Sequence, residues 1–338
     1  MGKAELPLHA PGTKVDRGYI GERVPRPNAK RLLQGRGAYT DDLRFPRLAH
    51  VAFFRSPYAH ARIRRLHFEK AAKSKGVIAV FDGPKVAEYC TPWIGVLAHL
   101  KGIKSPPQHA IAIGRACWQG EAVAAVVAET RAQAEDAVQL IEAEWEELPV
   151  VTDMERSLRG DVLVHDELKD NICFARELDT GGVDEAFARA DLVVEETFHF
   201  GRHTGVCPEG RSILADYNAA EHSLTVYLST QAPHMMQDVF SRHLGIPEAN
   251  VRVVTKDVGG AYGIKVHVYA DEMATAAISV ILRRPVKFIA DRLESFVTEI
   301  HAREHRAKVR LAVSKAGDIL AFDLDDLTAI GPYSVYPR

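Results

Sequence analysis

The chain has 338 residues, enough for two domains, and its 46% apolar and 26% charged content is that of an ordinary globular protein. A net charge of -2 argues against nucleic acid or an anionic membrane as a partner. No apolar run approaches the roughly 18 residues of a membrane span, and residues 1–15 lack the apolar core of a signal peptide.

Residues 1–30 hold Gly, Pro, Arg and Lys with little periodicity and predict an extended arm. Residues 48–54 predict a strand, Ser56-Pro57-Tyr58 a turn, and 63–68 and 77–81 two further strands. His60 beside that turn reads as a histidine satisfied by local hydrogen bonds rather than as a metal ligand. Residues 121–128 make a continuous apolar strand, and Thr130-Arg131-Ala132-Gln133 has the form of a capping box. Ala134, Ala137, Val138, Ile141 and Trp145 fall on one helical face, which predicts a helix running toward Pro149. Glu142, Glu144, Glu146 and Glu147 read as its solvated face.

Residues 151–183 are polar and weakly patterned, and they are the expected linker between domains at 31–150 and 184–338. A short helix is predicted over 183–190 and an alternating strand over 192–200. His199, His203 and Cys207 have the four-residue spacing of a metal site on a helix, but Gly201 and Gly205 between them argue against a helix there.

The next stretch organises the chain. Residues 224–228 predict a strand, Ser229 or Thr230 a cap, and Pro233 the first turn of a helix. Met236, Val239, Phe240 and Leu244 follow at helical spacing, and Gly245 and Pro247 end the helix. A second strand at 251–254 runs into Asp257-Val258-Gly259-Gly260-Ala261-Tyr262-Gly263, and a second helix covers 270–282. Two strands that each end in a loop aimed into a helix place both loops at one sheet edge, where ligands bind in α/β folds. Three glycines in five residues let the backbone approach a phosphate or metal oxo group closely; on spacing alone, a plain tight turn stays equally open. The loop lacks the Gly-x-Gly-x-x-Gly spacing, and Lys265 is followed by Val266, so it is neither a dinucleotide fingerprint nor a Walker loop. Beyond it, 286–290 predicts a strand, Asp291 starts a helical turn, and 309–313 pairs with 319–327 as a hairpin whose wet face carries Lys308 and Arg310. The four cysteines, Cys90, Cys117, Cys173 and Cys207, lie far apart and read as free thiols of a reducing, cytoplasmic compartment rather than iron–sulfur ligands.

Ser229-Thr230-Gln231-Ala232-Pro233-His234 followed by the 257–265 segment resembles the molybdenum-pterin-binding part of the xanthine dehydrogenase/aldehyde oxidase family. The Gly-Gly-Ala-aromatic-Gly variant is most similar to carbon-monoxide-dehydrogenase-like bacterial large subunits; Tyr262 stands where the family usually has Phe. Residues 36–42 and 55–63 resemble the α/β hammerhead domain that precedes it in the same family. Residues 203–211 resemble the family's segment around Glu-Pro-Arg, with Gly210 in place of Pro. The fold implied is mixed α/β (α+β): a hammerhead domain, then the first lobe of a molybdopterin-binding domain.

The resemblance covers residues from about 30 to 338 here but only about the first half of a family large subunit. By that match Gln231 hydrogen-bonds the molybdenum oxo group or the substrate, and Gly259, Gly260, Ala261, Tyr262 and Gly263 wrap the cofactor. Glu209 and Arg211 are expected to form a buried structural ion pair or to line the cofactor funnel, the structural role being preferred. No protein ligand to the metal is expected. The cofactor implied is the molybdenum-pterin, with its cytosine dinucleotide form as one option, and iron–sulfur clusters and FAD would sit on partner subunits. The family's base glutamate has no counterpart, and neither Glu209 nor Glu272 matches its motif. The expected activity is hydroxylation of an aldehyde, an N-heterocycle or carbon monoxide with water as oxygen source. It would be completed by a chain carrying the C-terminal half, a [2Fe-2S] subunit and an FAD subunit. The alternative is a non-catalytic truncated homologue that serves as a binding or assembly module.

Overall fold

The computed structural model describes residues 19–95 and 100–334. Of the arm expected over 1–30, residues 1–18 lie outside the described residues. Residues 19–28 form turns and irregular backbone leading to α1 (Ala29–Leu33), within a first compact unit of residues 1–38. The second unit, residues 39–338, carries the remaining elements. In chain order these are β1 (Ala49–Arg55), β2 (Ala61–His67), α2 (Glu69–Ala72), β3 (Val77–Asp82), α3 (Gly83–Ala87), β4 (Arg115–Ala116) and β5 (Ala122–Ala128). Then come α4 (Arg131–Val138), β6 (Glu142–Glu147), α5 (Met154–Arg159), α6 (Val183–Ala188), β7 (Leu192–Phe200), β8 (Ser212–Asn218) and β9 (Ser223–Leu228). The last are α7 (Pro233–Leu244), β10 (Val251–Val254), α8 (Ala270–Leu282), β11 (Val286–Ile289), α9 (Arg292–Thr298), β12 (His305–Val313) and β13 (Ile319–Thr328).

A seven-stranded sheet in the order β10-β9-β8-β11-β1-β5-β3 forms the body. The stretches 31–150 and 184–338, expected as separate domains, share this sheet through the parallel pairing of Ala49 with Val286. Their apolar residues also share one core: Phe53 of β1 meets Phe288 of β11 edge-on at 5.0 Å. The unbroken apolar run of β5 follows from burial on both faces. Ala124 and Val126 pack with Ala137, Val138 and Ile141, while Ala125 and Val127 join the main core.

The capping box at Thr130 and Gln133 starts α4, but the helix stops at Val138. The expected continuation to Trp145 is instead β6, antiparallel to β2. Glu142, Glu144 and Glu146 alternate on one face, where Lys70, His67 and Arg64 pair with them. Trp145, on the opposite face, meets Tyr58 at 5.7 Å. The period of two, set against the row of partners on β2 and α2, outweighs the helical pattern. His60 also differs from expectation: its Nδ1 lies 2.8 Å from the carbonyl of Pro149, a partner distant in sequence.

β9 and β10 are parallel neighbours, with Val226 opposite Val253, so the loops after them emerge at the same sheet edge. In α7, Met236, Val239, Phe240 and Leu244 are buried, and Gly245 ends the helix at φ 66°. A separate three-stranded sheet, β13-β12-β7, holds the predicted hairpin, with Lys308 and Arg310 exposed as expected. Among the described residues no helix is long and apolar enough to cross a membrane.

Candidate cofactor-binding site

The two loops are stitched together by backbone and side-chain bonds. Gln231 N–H donates to the Lys265 carbonyl at 2.8 Å, and Gly263 N–H donates to Gln231 Oε1 at 3.1 Å. The amide oxygen of Gln231 is thereby committed to the loop, and its NH2 is the end left to donate outward. Gln231 is exposed at the sheet edge.

Ser229 and Thr230 do not cap α7, whose cap position is Ala232, without a side-chain bond. Thr230 Oγ1 donates to the Lys265 carbonyl at 3.0 Å, and Ser229 Oγ donates to Glu209 Oε2 at 2.7 Å. Glu209 is the hub beneath the loop. Its Oε2 also accepts from Gly259 N–H at 2.7 Å and from Lys265 Nζ at 2.9 Å, and its own N–H donates to the Gly259 carbonyl at 3.0 Å. Lys265 Nζ donates to Ser229 Oγ as well, at 2.9 Å, and Lys265 is 2% exposed. Burying this lysine is tolerable because its charge is paired and its donors are used.

The glycines have distinct reasons. A Cβ on Gly259 would lie 2.5 Å from the Glu209 Cβ, so only glycine lets the hub approach. Gly260 sits at φ 100°, a conformation side chains rarely adopt, and a Cβ there would come within 3.0 Å of Pro208. Tyr262 holds φ 47° without being glycine, and its ring is 72% exposed. Among the described residues the N–H groups of Gly260, Ala261 and Tyr262 meet no protein acceptor.

Arg211 does not pair with Glu209. It lies at 0% exposure in a second cluster, with Nη1 2.6 Å from Asp271 Oδ1 and Nη2 2.8 Å from both Asp271 Oδ2 and Thr298 Oγ1. Its guanidinium stacks on the Tyr269 ring at 3.8 Å. Glu272 Oε1 is 3.4 Å away, and Arg55 joins Asp271 at 2.9 Å and Glu294 at 2.6 Å. Burial alone would raise the Asp271 carboxyl, but Arg211 and then Arg55 outweigh it and hold Asp271 well below the usual range. Burial pushes Glu272 up to about 8, the Asp271 charge adding to it and Arg211 opposing. Two guanidiniums, two carboxylates and one neutral acid then balance.

Lys265, Ser229, Asp271, Glu272 and Arg55 all belong to this machinery and were not singled out as site residues by sequence reasoning. The available signal was Asp271-Glu272 opening the otherwise apolar run of α8. Of the predicted site residues, Tyr262 and Gly263 line a cleft of 780 Å³ together with Trp118, His267 and Glu299, whereas Gln231 and residues 259–261 do not line it. His203 pairs by backbone with Ala302 and Cys207 is a buried free thiol; among the described residues no cluster of His, Cys, Asp or Glu could hold a metal.

Sheet order, paired loops and glycine nest together define a cofactor-binding lobe of mixed α/β architecture. The profile of the aldehyde oxidase and xanthine dehydrogenase α/β hammerhead domain matches residues 34–149, and that of the molybdopterin cofactor-binding domain matches 164–337. The chain belongs to the xanthine dehydrogenase/aldehyde oxidase family of molybdopterin-binding large subunits. It is 36% identical to the nicotine 6-hydroxylase large subunit of Paenarthrobacter nicotinovorans, over 96% of this chain and 40% of that one. It is 32% identical to the carbon monoxide dehydrogenase large chain of Hydrogenophaga pseudoflava, over 91% and 40%. Among solved structures, quinoline 2-oxidoreductase from Pseudomonas putida 86 superposes with a TM-score of 0.86 at 36% identity, covering 92% of this chain and 39% of that one. The chain thus spans about two fifths of the length of these relatives.

Proposed function

We propose that this chain is the molybdenum-pterin-binding portion of a molybdenum hydroxylase, and that its activity requires the rest of a family large subunit, which supplies the base glutamate. The observation that carries this reading is the loop itself: three consecutive N–H groups that meet no protein acceptor among the described residues, beside an amide whose NH2 is its only outward donor. Such donors fit an anionic, oxygen- and sulfur-rich group, and Gly260 keeps the backbone free of a side chain where that group would lie.

The molybdenum-pterin, in either its mononucleotide-free or cytosine dinucleotide form, supplies the redox chemistry when bound. The chain's own residues hold and orient. The Gly259–Glu209–Lys265–Ser229 cluster fixes the loop, Gln231 NH2 donates to an oxygen of the cofactor or substrate, and the exposed Tyr262 ring forms one wall of the cleft. Preorganised donors of this kind act chiefly by electrostatic stabilisation. Electrons would pass to [2Fe-2S] and FAD subunits; the relatives named as a large subunit and as subunit gamma of a dehydrogenase complex support a multi-subunit assembly. An N-heterocycle, an aldehyde or carbon monoxide is the substrate, and the 36% identity to nicotine and quinoline enzymes supports testing N-heterocycles first. A hammerhead stretch at 31–150 and a lobe at 184–338 joined by 151–183 remain the proposed sequence units, and a cytoplasmic setting is in keeping with the four free thiols.

The test is expression in a host that makes the cofactor, with and without a polypeptide covering the rest of a relative's large subunit. Molybdenum is measured by mass spectrometry, and turnover by dye-coupled oxidation of quinoline, benzaldehyde and carbon monoxide. Metal and turnover are expected only in the completed assembly. Stoichiometric metal and turnover from residues 1–338 alone would overturn the requirement for the rest of the large subunit, and an assembly without metal would reduce the chain to an assembly module.

A further inference from the structure

The cleft that Tyr262 and Gly263 border has a mixed lining. Trp118 and Tyr262 supply ring faces, and Val268, Val297 and Ile330 supply apolar contacts. Its arginines are paired or lie outside. Arg55 is held by Asp271 and Glu294, Arg202 pairs with Glu304 at 3.2 Å, and Arg303 is exposed. Three lining side chains carry a buried oxygen that meets no hydrogen-bond partner among the described residues: Gln108 Oε1, Thr204 Oγ1 and Glu299 Oε1. Gln108 is 5% exposed and Glu299 7%. An amide oxygen and a carboxylate oxygen accept, and a hydroxyl can do either. Leaving a buried acceptor unmade costs about 1–3 kcal/mol, so three such oxygens around one cleft call for a donor.

The two acceptors are fixed by backbone. Gln108 N–H donates to the Trp93 carbonyl at 2.7 Å, and Trp93 N–H donates back at 3.0 Å. Glu299 is the C-cap of α9, and its N–H donates to the Ser295 carbonyl at 3.0 Å. The next N–H, of Ile300, donates to the Tyr269 hydroxyl at 3.4 Å, which donates to the Ile264 carbonyl at 2.9 Å. Glu299 is thereby tied to the segment that follows the glycine loop.

We propose that this cleft holds the organic substrate, a planar nitrogen heteroaromatic that donates an N–H to Glu299 and Gln108 while Trp118 and Tyr262 flank its ring; the inference rests on the proposed function. The donor is an amino substituent or a protonated ring nitrogen. Glu299 is then a specificity-determining residue. An aldehyde or carbon monoxide brings no N–H to these oxygens, and a site built to hydrogen-bond its substrate rejects an analogue that lacks the bonding group.

The experiment compares 4-aminoquinoline with 4-methylquinoline, a pair of like shape that differ in the N–H donor. Isothermal titration calorimetry is run on residues 1–338 and on the completed assembly. The amino compound is expected to bind about tenfold to a hundredfold more tightly, the worth of one hydrogen bond to a charged acceptor. Glu299→Leu should erase that preference while the thermal midpoint holds or rises, because an unpaired buried oxygen gives way to apolar bulk. Glu299→Gln, which keeps the shape and one acceptor, should retain part of it. In the completed assembly Glu299→Leu should raise KM for 4-aminoquinoline about tenfold, with the smaller change in kcat. Equal affinity of the wild-type protein for the two compounds, in an assembly that carries molybdenum, overturns the inference and leaves the function standing. A preference that depends on Glu299 in an assembly without molybdenum keeps the cleft and removes the function. A preference that survives Glu299→Leu, or one seen in residues 1–338 that vanishes in the completed assembly, also overturns the inference.

Discussion

Two charged clusters flank the glycine loop at 259–263, and they are built on opposite principles. The Arg211–Asp271–Glu272 cluster is sealed: Arg211 is fully buried and both its terminal nitrogens are bonded to protein. The Glu209–Lys265–Ser229 cluster is saturated on its inner side only. The loop it holds leaves the N–H groups of 260–262 without acceptors among the described residues and occupies the Gln231 oxygen, leaving its NH2 as the free end. The sealed cluster can be removed only at the expense of the fold. On the proposed function, the open one is expected to tolerate change at its outer rim with little effect on folding and a large effect on binding and chemistry.

The largest test of that contrast is Arg211→Ala. It would leave buried Asp271 with Arg55 as its one remaining cation and take Arg211 from Glu272, which costs about 3–5 kcal/mol. A chemical-denaturation midpoint near wild type would mean the cluster is not sealed. Gln231→Ala sits on the open side. In the completed enzyme it should lose about 2–4 kcal/mol of transition-state stabilisation with full molybdenum content, by analogy with an oxyanion-hole donor. In this chain alone its thermal midpoint should barely move, since it forfeits one exposed hydrogen bond. Turnover equal to wild type at full metal content would remove Gln231 from the site. Gly260→Val forces a branched side chain into φ 100° against Pro208 and should strain the loop by about 1–3 kcal/mol. The fold should survive with little bound molybdenum, and wild-type metal content would return the loop to a plain turn.

The smallest effect concerns pH. Burial pushes the folded-state Glu272 carboxyl up to about 8, whereas the unfolded chain releases its proton near the ordinary glutamate value of 4.5. The unfolded state therefore binds fewer protons between those values, and this group's stabilisation, complete below 4.5, is lost as pH rises toward 8. Glu121, pushed up to about 7 by burial, adds a slope of the same sign. Glu272→Gln should flatten the Glu272 share of the decline, measured as thermal midpoints from pH 5 to 9. An identical decline in the variant would show that Glu272 is ionised throughout.

Sequence reasoning reached the parts whose signal is local. The strand–loop–helix units around Gln231 and Gly259–Gly263 carry their own turn residues and period, and the structure has strands and helices at the same places. The helix expected through Trp145 failed because two periods coexist: Ala134, Ala137, Val138 and Ile141 are helix-spaced, while Glu142, Glu144 and Glu146 alternate. The partners supplied by residues 61–70, far earlier in the chain, through the β2 ladder and the side chains of Arg64, His67 and Lys70, decide between them. The same distance hid the ion pairs. Glu209 and Arg211 are near neighbours in sequence, but each finds its counter-charge more than fifty residues away, in Lys265 and Asp271. Proximity along the chain suggested a pair that the sheet edge separates.

The parallel pairing of β1 with β11 has a consequence for how the protein is made. Ala49 leaves the ribosome long before its partner Val286, and at about 5–20 residues per second the wait is on the order of tens of seconds. During that interval β1 has only β5 to pair with, and its other edge stays open. The nascent chain is therefore held in a half-built state in which a wrong strand can add to that edge, and a chaperone that binds extended apolar segments has its longest opportunity there.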